Sequence, residues 1–150
     1  MRTTLSLLAL ALAAAGCGAV IISVTQPGTA KLELRLIAAN EADGFKVTTW
    51  DGKATMFVEK RAPLTDRDVD KVRRSKLADG KPAIDLMLDQ TAALALEDIT
   101  SKNIGRRMAV LVGGKIVLAP TIKERIEGGH MTLAGLPAAD TAAIFSRIKK

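Results

Sequence analysis

Leu5 through Ala15 is an apolar run of Leu and Ala broken only by Ser6, and no charged residue occurs from Leu5 to Val24. Beyond Gln26-Pro27-Gly28-Thr29, a turn-prone break, the pattern changes. Lys31-Leu32-Glu33-Leu34-Arg35-Leu36 alternates polar and apolar residues strictly, which predicts a strand with one face buried. Ala42-Asp43-Gly44 and Trp50-Asp51-Gly52-Lys53 are turn signals. The short β-branched or aromatic segments beside them, Lys46–Thr49 and Thr55–Glu59, predict a hairpin. Thr65-Asp66-Arg67-Asp68 offers a capping residue with an acid three places on, so one helical turn starts there. Val72–Leu77 is mostly polar. As a strand it belongs at an exposed edge, where charged side chains discourage unwanted pairing.

Asp79-Gly80-Lys81 is a hairpin turn leading into Ala83–Leu88, with Ile84, Leu86 and Leu88 pointing one way and Asp85 and Met87 the other. Asp89 then caps the strongest helix of the chain, in which Ala92, Leu96, Ile99 and Asn103 recur at helical spacing and Lys102 and Arg106 suit the carboxyl end. Gly105 is a natural stop. Met108–Val112 and Ile116–Ala119 flank Gly113-Gly114, whose glycines tolerate positive φ, and their apolar character predicts central strands. Pro120 interrupts the ladder, Ile122–Ile126 is expected to continue it, and Gly128-Gly129 turns the chain into His130–Ala134. Pro137 fits the first turn of a last helix whose face carries Thr141, Ile144, Phe145 and Ile148. The expected class is α+β, a mainly antiparallel sheet with two longer helices packed on one face.

The amino end has the grammar of a secretory signal: a basic start at Arg2, the apolar run, and a small-residue exit at Ala14-Ala15-Gly16-Cys17. The cysteine directly after Ala-Ala-Gly is similar to a bacterial lipoprotein signal, although the aliphatic residue usual three places before it is here Ala14. On this reading residues 1–16 are removed, Cys17 carries lipid, residues 17–30 form a lipidated tether, and residues 31–150 are the folded domain. An uncleaved membrane helix over Leu5–Val24 is the alternative, and a cysteine buried in a core is a third. The first two hold the domain at a membrane in the cell envelope, outside the cytoplasm. Lipid on Cys17 anchors the chain without spanning the bilayer.

The whole chain has 22 Lys+Arg against 16 Asp+Glu, a net charge of +6. Loss of Arg2 on cleavage leaves a moderate excess, suited to anionic headgroups or to a solvated basic face. With 3% aromatic residues, stacking on bases is poorly provided for, and nucleic acid is not an expected partner. One Cys and one His exclude a disulfide framework and multi-Cys or two-His metal sites. His130 alone reads as a surface residue. Asp66, Asp68 and Asp70 alternate like a calcium loop but lack its glycine and its closing Glu, and read as helix-start acids. Asp85 with Asp89 is a weak carboxylate pair, Asp89 being better explained as a cap. Ser75, Ser101 and Ser146 have no nucleophile elbow, and Gly113-Gly114-Lys115 lacks the full phosphate-loop spacing. No catalytic residue, metal or cofactor is expected. The basic pairs Arg73-Arg74 and Arg106-Arg107, with Lys76, remain as contacts for a partner or lipid, against the plainer reading of solvated charge.

From Leu86–Leu88 through Asp89, Leu96, Lys102-Asn103-Ile104-Gly105-Arg106-Arg107-Met108, Gly114-Lys115, Ala119-Pro120-Thr121 and Ile126-Glu127-Gly128-Gly129-His130, the chain resembles the periplasmic head domain of the protein-export proteins SecD and SecDF. The order and spacing match from about Leu64 to Ile148 and more faintly back to Leu32. The resemblance implies a head that contacts emerging preprotein. Family members also carry transmembrane helices with acidic residues that couple to the proton gradient, whereas no segment after Val24 here is apolar and long enough to span. The family helix usually begins Thr-Pro-Glu, where this chain has Asp89-Gln90-Thr91, and its edge strand is more apolar than Arg74-Ser75. The expected function is a non-enzymatic, lipid-anchored domain that binds unfolded polypeptide or an envelope protein along the exposed strand edge. The alternatives are a structural module of an envelope complex and a small envelope hydrolase.

Overall fold

The computed structural model describes residues 26–28 and 30–149. Cys17 and the apolar amino-terminal segment lie outside the described residues. Among the described residues, nine strands and two α-helices follow one another as β1 (Leu32–Leu36), β2 (Gly44–Thr48), β3 (Thr55–Glu59), β4 (Leu64–Thr65), β5 (Val69–Lys76), β6 (Pro82–Leu88), α1 (Gln90–Lys102), β7 (Met108–Val112), β8 (Lys115–Leu118), β9 (His130–Leu133) and α2 (Ala138–Ile148). The class is α+β. The antiparallel pairing is divided among three sheets, in the orders β4-β1-β7-β8, β2-β3 and β5-β6-β9.

The main core joins these layers. Leu32, Leu34 and Leu36 of β1 and Met108, Val110 and Val112 of β7 share it with Ile84, Leu86 and Leu88 of β6, Ala92 and Leu96 of α1, and Ile144 and Ile148 of α2. Both helices therefore pack on the same side of the four-stranded sheet, against the alternate positions that the period of two selects. A smaller cluster lies on that sheet's other side, where Ala109, Leu111 and Ile116 meet Val47 and Val58 of the β2–β3 hairpin.

Two covers change the reading of β1. All five of its residues are buried, where strict alternation predicts a solvated polar face. Glu33 and Arg35 instead form an ion pair sealed on the hairpin side, with Arg35 Nε donating to Glu33 Oε2 at 2.7 Å. Arg35 Nη1 donates to the carbonyls of Glu59 (2.9 Å) and Lys60 (2.8 Å) at the end of β3. The remaining Glu33 oxygen accepts the Gly28 N–H at 2.7 Å. A buried charge persists only with this degree of pairing and hydrogen bonding.

The local signals acted as expected at the turns and caps. Thr65 and Asp68 form a reciprocal capping box at a single 3-10 turn, and Asp89 Oδ1 accepts the Ala92 N–H at 2.8 Å. Gly113 and Gly114, at φ 56° and 76°, make the tight turn between β7 and β8. The expectation for Ile122–Ile126 is corrected: it is not a strand. Pairing stops at an isolated antiparallel bridge between Arg107 and Thr121, which the Ile122 N–H closes on the Arg106 carbonyl (2.8 Å), and Ile126 N–H donates instead to Thr100 Oγ1 (2.9 Å) on α1. Strand β8 is also not central. It is the outer strand of its sheet, buried because Thr49 bridges to Ile116 and Trp50 N–H donates to the Ile116 carbonyl.

Candidate polypeptide-binding edge

At eight residues β5 is the longest strand among the described residues, and it lies at one end of its sheet with β6 as its only strand partner there. Leu77 N–H donates to the Lys81 carbonyl at 2.9 Å in the turn that joins them. Antiparallel pairing alternates bonded and non-bonded pairs, so that contact makes Ser75 with Ala83 and Arg73 with Asp85 the bonded pairs. Pro82, which has no N–H, stands opposite Lys76 at a non-bonded pair. The N–H and C=O groups of Val72, Arg74 and Lys76 therefore face away from β6, toward the open edge. They form a template for an added strand.

Side chains frame this edge with positive charge. Arg74 faces the helix layer, its guanidinium carbon 4.6 Å from the centre of the Phe145 ring, close enough for a cation–π contact. Arg73 lies on the opposite face, where Lys71, Arg73, Asp85, Met87, His130 and Thr132 border a shallow depression of about 260 Å³. Asp85 there accepts the Thr132 hydroxyl at 2.8 Å. Asp89 caps α1, so the two carboxylates have separate structural tasks. Ser75 Oγ is a buried side-chain polar atom with no hydrogen-bond partner among the described residues. Because an unsatisfied buried hydroxyl costs about 1–3 kcal/mol, Ser75→Ala is expected to raise the stability by about 1 kcal/mol. In a denaturant titration that appears as a higher midpoint with an unchanged slope.

The second basic pair is split by the fold. Arg106 ties the carboxyl end of α1 to the first sheet, through Asn103 Oδ1 (2.8 Å), the Ile37 carbonyl (3.1 Å) and an ion pair with Glu59. Arg107 turns the other way and donates from Nε to the Ala119 carbonyl at 2.9 Å. Arg107 also borders a cavity of about 510 Å³, which Trp50, Met56, Val117, Leu136 and Asp140 help to line. Trp50 Nε1 donates to Asp140 Oδ1 at 3.0 Å, and the Arg147 guanidinium lies 5.2 Å from its ring. Sequence reading placed Trp50 only in a turn signal; a lone Trp beside a turn was the available sign that the loop folds back on the body. At the rim, the Thr49 hydroxyl and the Lys53 N–H hold the exposed Asp51 carboxyl below its ordinary pKa. No group of three or more His, Cys, Asp or Glu side chains converges among the described residues.

The fold is thus an antiparallel α+β domain with a series of glycine turns, a capped helix and an open basic edge. The family model described as "SecDF, P1 head subdomain" matches residues 42–146, and the chain belongs to that family. It is 32% identical over 95 residues to the protein translocase subunit SecD of Acidaminococcus fermentans, covering 61% of this chain and 23% of the relative. To SecD of Desulfurispirillum indicum it is 28% identical over 131 residues, covering 71% of this chain and 25% of the relative. The chain thus spans about a quarter of the length of these curated relatives. A solved structure of a membrane component SecDF that enhances protein export superposes with a TM-score of 0.61 at 22% identity, over 78% of this chain and 60% of that one. SecDF in a super-membrane-facing form gives a TM-score of 0.62 at 21% identity, over 78% of this chain and 18% of that one. Among the described residues no helix is long and apolar enough to cross a membrane.

Proposed function

We propose that this chain is a lipid-anchored head domain of the cell envelope that holds an extended stretch of polypeptide during protein export. It does so by pairing that stretch with the outer edge of β5, and it has no proton-driven motor of its own. The observation that carries this reading is the eight-residue edge strand with outward-facing backbone groups at Val72, Arg74 and Lys76. Main-chain hydrogen bonds recognise any extended segment with little regard to sequence, which suits a protein that meets many exported chains. Membership of the head family and the relatives' designation as translocase subunits support the export setting. Lys71, Arg73, Arg74 and Lys76 bias the edge toward segments that carry acidic residues and against basic ones.

The signal grammar ending at Cys17 supports the anchor and an outward-facing location. Shape rather than reactive groups performs the work on this reading: the hydroxyl–carboxylate pairs beside β5 and Trp50, Thr132 with Asp85 and Thr49 with Asp51, are exposed and make local cross-strand and turn hydrogen bonds. The reading as a structural module draws less support. Leu94 and Ile104, the large apolar side chains most exposed among the described residues, sit apart, Leu94 within α1 and Ile104 in the turn beyond its end. Crosslinking in the intact envelope tests the proposal. Polypeptide adducts from positions along β5 are expected, and recovery of no polypeptide partner contradicts it.

A further inference from the structure

Beyond the basic pairs visible in the sequence, the fold gathers cations on a second face that the sequence does not show. Lys31, Lys46, Lys115 and Arg147 are far apart along the chain, yet they border two adjoining depressions that share Gly28 and Gly113. One, about 280 Å³, is bordered by Lys31 and Arg147. The other, about 520 Å³, is bordered by Lys46 and Lys115. No acidic residue lines either. None of these four cations forms an ion pair with a described residue, and the Arg147 guanidinium rests on the Trp50 ring. The acid nearest in the bonding pattern is Asp66, whose carboxylate accepts the Lys31 N–H at 3.1 Å.

The amino-terminal segment enters the body at the centre of this face. Gly28 N–H is held by Glu33 Oε1 at 2.7 Å, and Gly28 packs so closely on the β7–β8 turn that a Cβ on Gly114 would stand 3.1 Å from its Cα. That backbone contact holds Gly28 against the body. Gln26 lies nine positions after Cys17, a reach of at most about 30 Å when fully extended.

We infer that this face, formed around Gly28 by Lys31, Lys46, Lys115 and Arg147, docks on an anionic lipid surface. The inference rests on the proposed attachment at Cys17, which brings the face within reach of the headgroups. Each cation held near an anionic leaflet contributes about a fivefold gain in association, and the attraction fades beyond about 8–10 Å at ordinary salt. Docking by this end holds the domain in one orientation on the membrane.

The test uses the full lipidated chain with vesicles of phosphatidylcholine alone or with added phosphatidylglycerol, reading lysine acetylation rates by mass spectrometry. Lys31, Lys46 and Lys115 are expected to react at least fivefold more slowly on the anionic vesicles at low salt, and at equal rates in high salt. Lys76 and Lys123 serve as references and stay unchanged. The double variant Lys46→Glu/Lys115→Glu, at two exposed positions without ion pairs, restores the Lys31 rate. Equal rates on both vesicles, or slowing at Lys76 and Lys123 instead, overturn the inference. The anchor is read separately: a chain that stays in solution with neutral vesicles contradicts attachment at Cys17. Slowed lysines on anionic vesicles would still uphold the docking face in that case.

Discussion

Arg35→Ala is expected to destabilise the domain by about 3–5 kcal/mol, because removing one member of a buried ion pair leaves the other charged and desolvated. The pair is fully enclosed, with side-chain exposures of 0% for Arg35 and 1% for Glu33. The guanidinium also joins the first sheet to the end of β3 through the Glu59 and Lys60 carbonyls. Its loss orphans those acceptors as well as Glu33. Glu33→Ala strands the guanidinium and also releases the Gly28 N–H. Replacing both residues by Met removes charge and partner together, and apolar substitutes for a buried pair are often neutral or better. The double variant should therefore lose less than either single one in equilibrium unfolding. Equal or additive losses would show that the pair acts as independent contacts and not as a mutually neutralised unit.

Gly129→Ala should cost about 2–5 kcal/mol, and its neighbour supplies the control. Both Gly128 and Gly129 have positive φ, 70° and 69°, a conformation that costs an L-residue about 1–2 kcal/mol. Around Gly128 a Cβ meets nothing within 4 Å, whereas at Gly129 it would stand 2.7 Å from the Ala93 Cβ on α1 and 3.3 Å from the Leu88 Cβ. The second site therefore adds an overpacking cost of about 1–3 kcal/mol. Gly128→Ala is expected to lose only the conformational part. Adding Ala93→Gly to Gly129→Ala should relieve the clash but not the backbone strain. Equal destabilisation by Gly128→Ala and Gly129→Ala, measured by thermal unfolding, would contradict the close approach of this turn to the helix.

Features fixed by local chemistry were legible in the chain. Glycine pairs at 113–114 and 128–129 announce turns because only they accept positive φ cheaply. Thr65 with Asp68 and Asp89 with Ala92 cap because their side-chain oxygens reach nearby backbone donors. The edge position of β5 followed from its run of charges. What alternation could not convey was the other face of β1: Glu33 and Arg35 have the same pattern whether they face water or one another. Ile122–Ile126 read as a strand because its apolar ends flank charges, yet a threonine hydroxyl 26 residues away supplies the partner for Ile126. Adjacent arginines 106 and 107 look like one patch but are pulled to opposite sides by the Glu59 carboxylate and the Ala119 carbonyl. The dispersed cations around Gly28 were invisible for the converse reason, since only the fold brings them together.

The account stands most directly on the open edge of β5, and a titration of Arg74 variants with an unfolded, acidic-residue-containing polypeptide tests it. Arg74→Pro deletes an outward N–H while sparing the bonds to β6, a placement that edge strands tolerate. Arg74→Ala removes the same side chain and the Phe145 contact but keeps the N–H. The account predicts that the alanine variant retains binding within a few-fold, while the proline variant, still folded by circular dichroism, loses it about tenfold or more. Equal affinity for the two variants would place the polypeptide elsewhere on the domain and contradict strand addition at this edge.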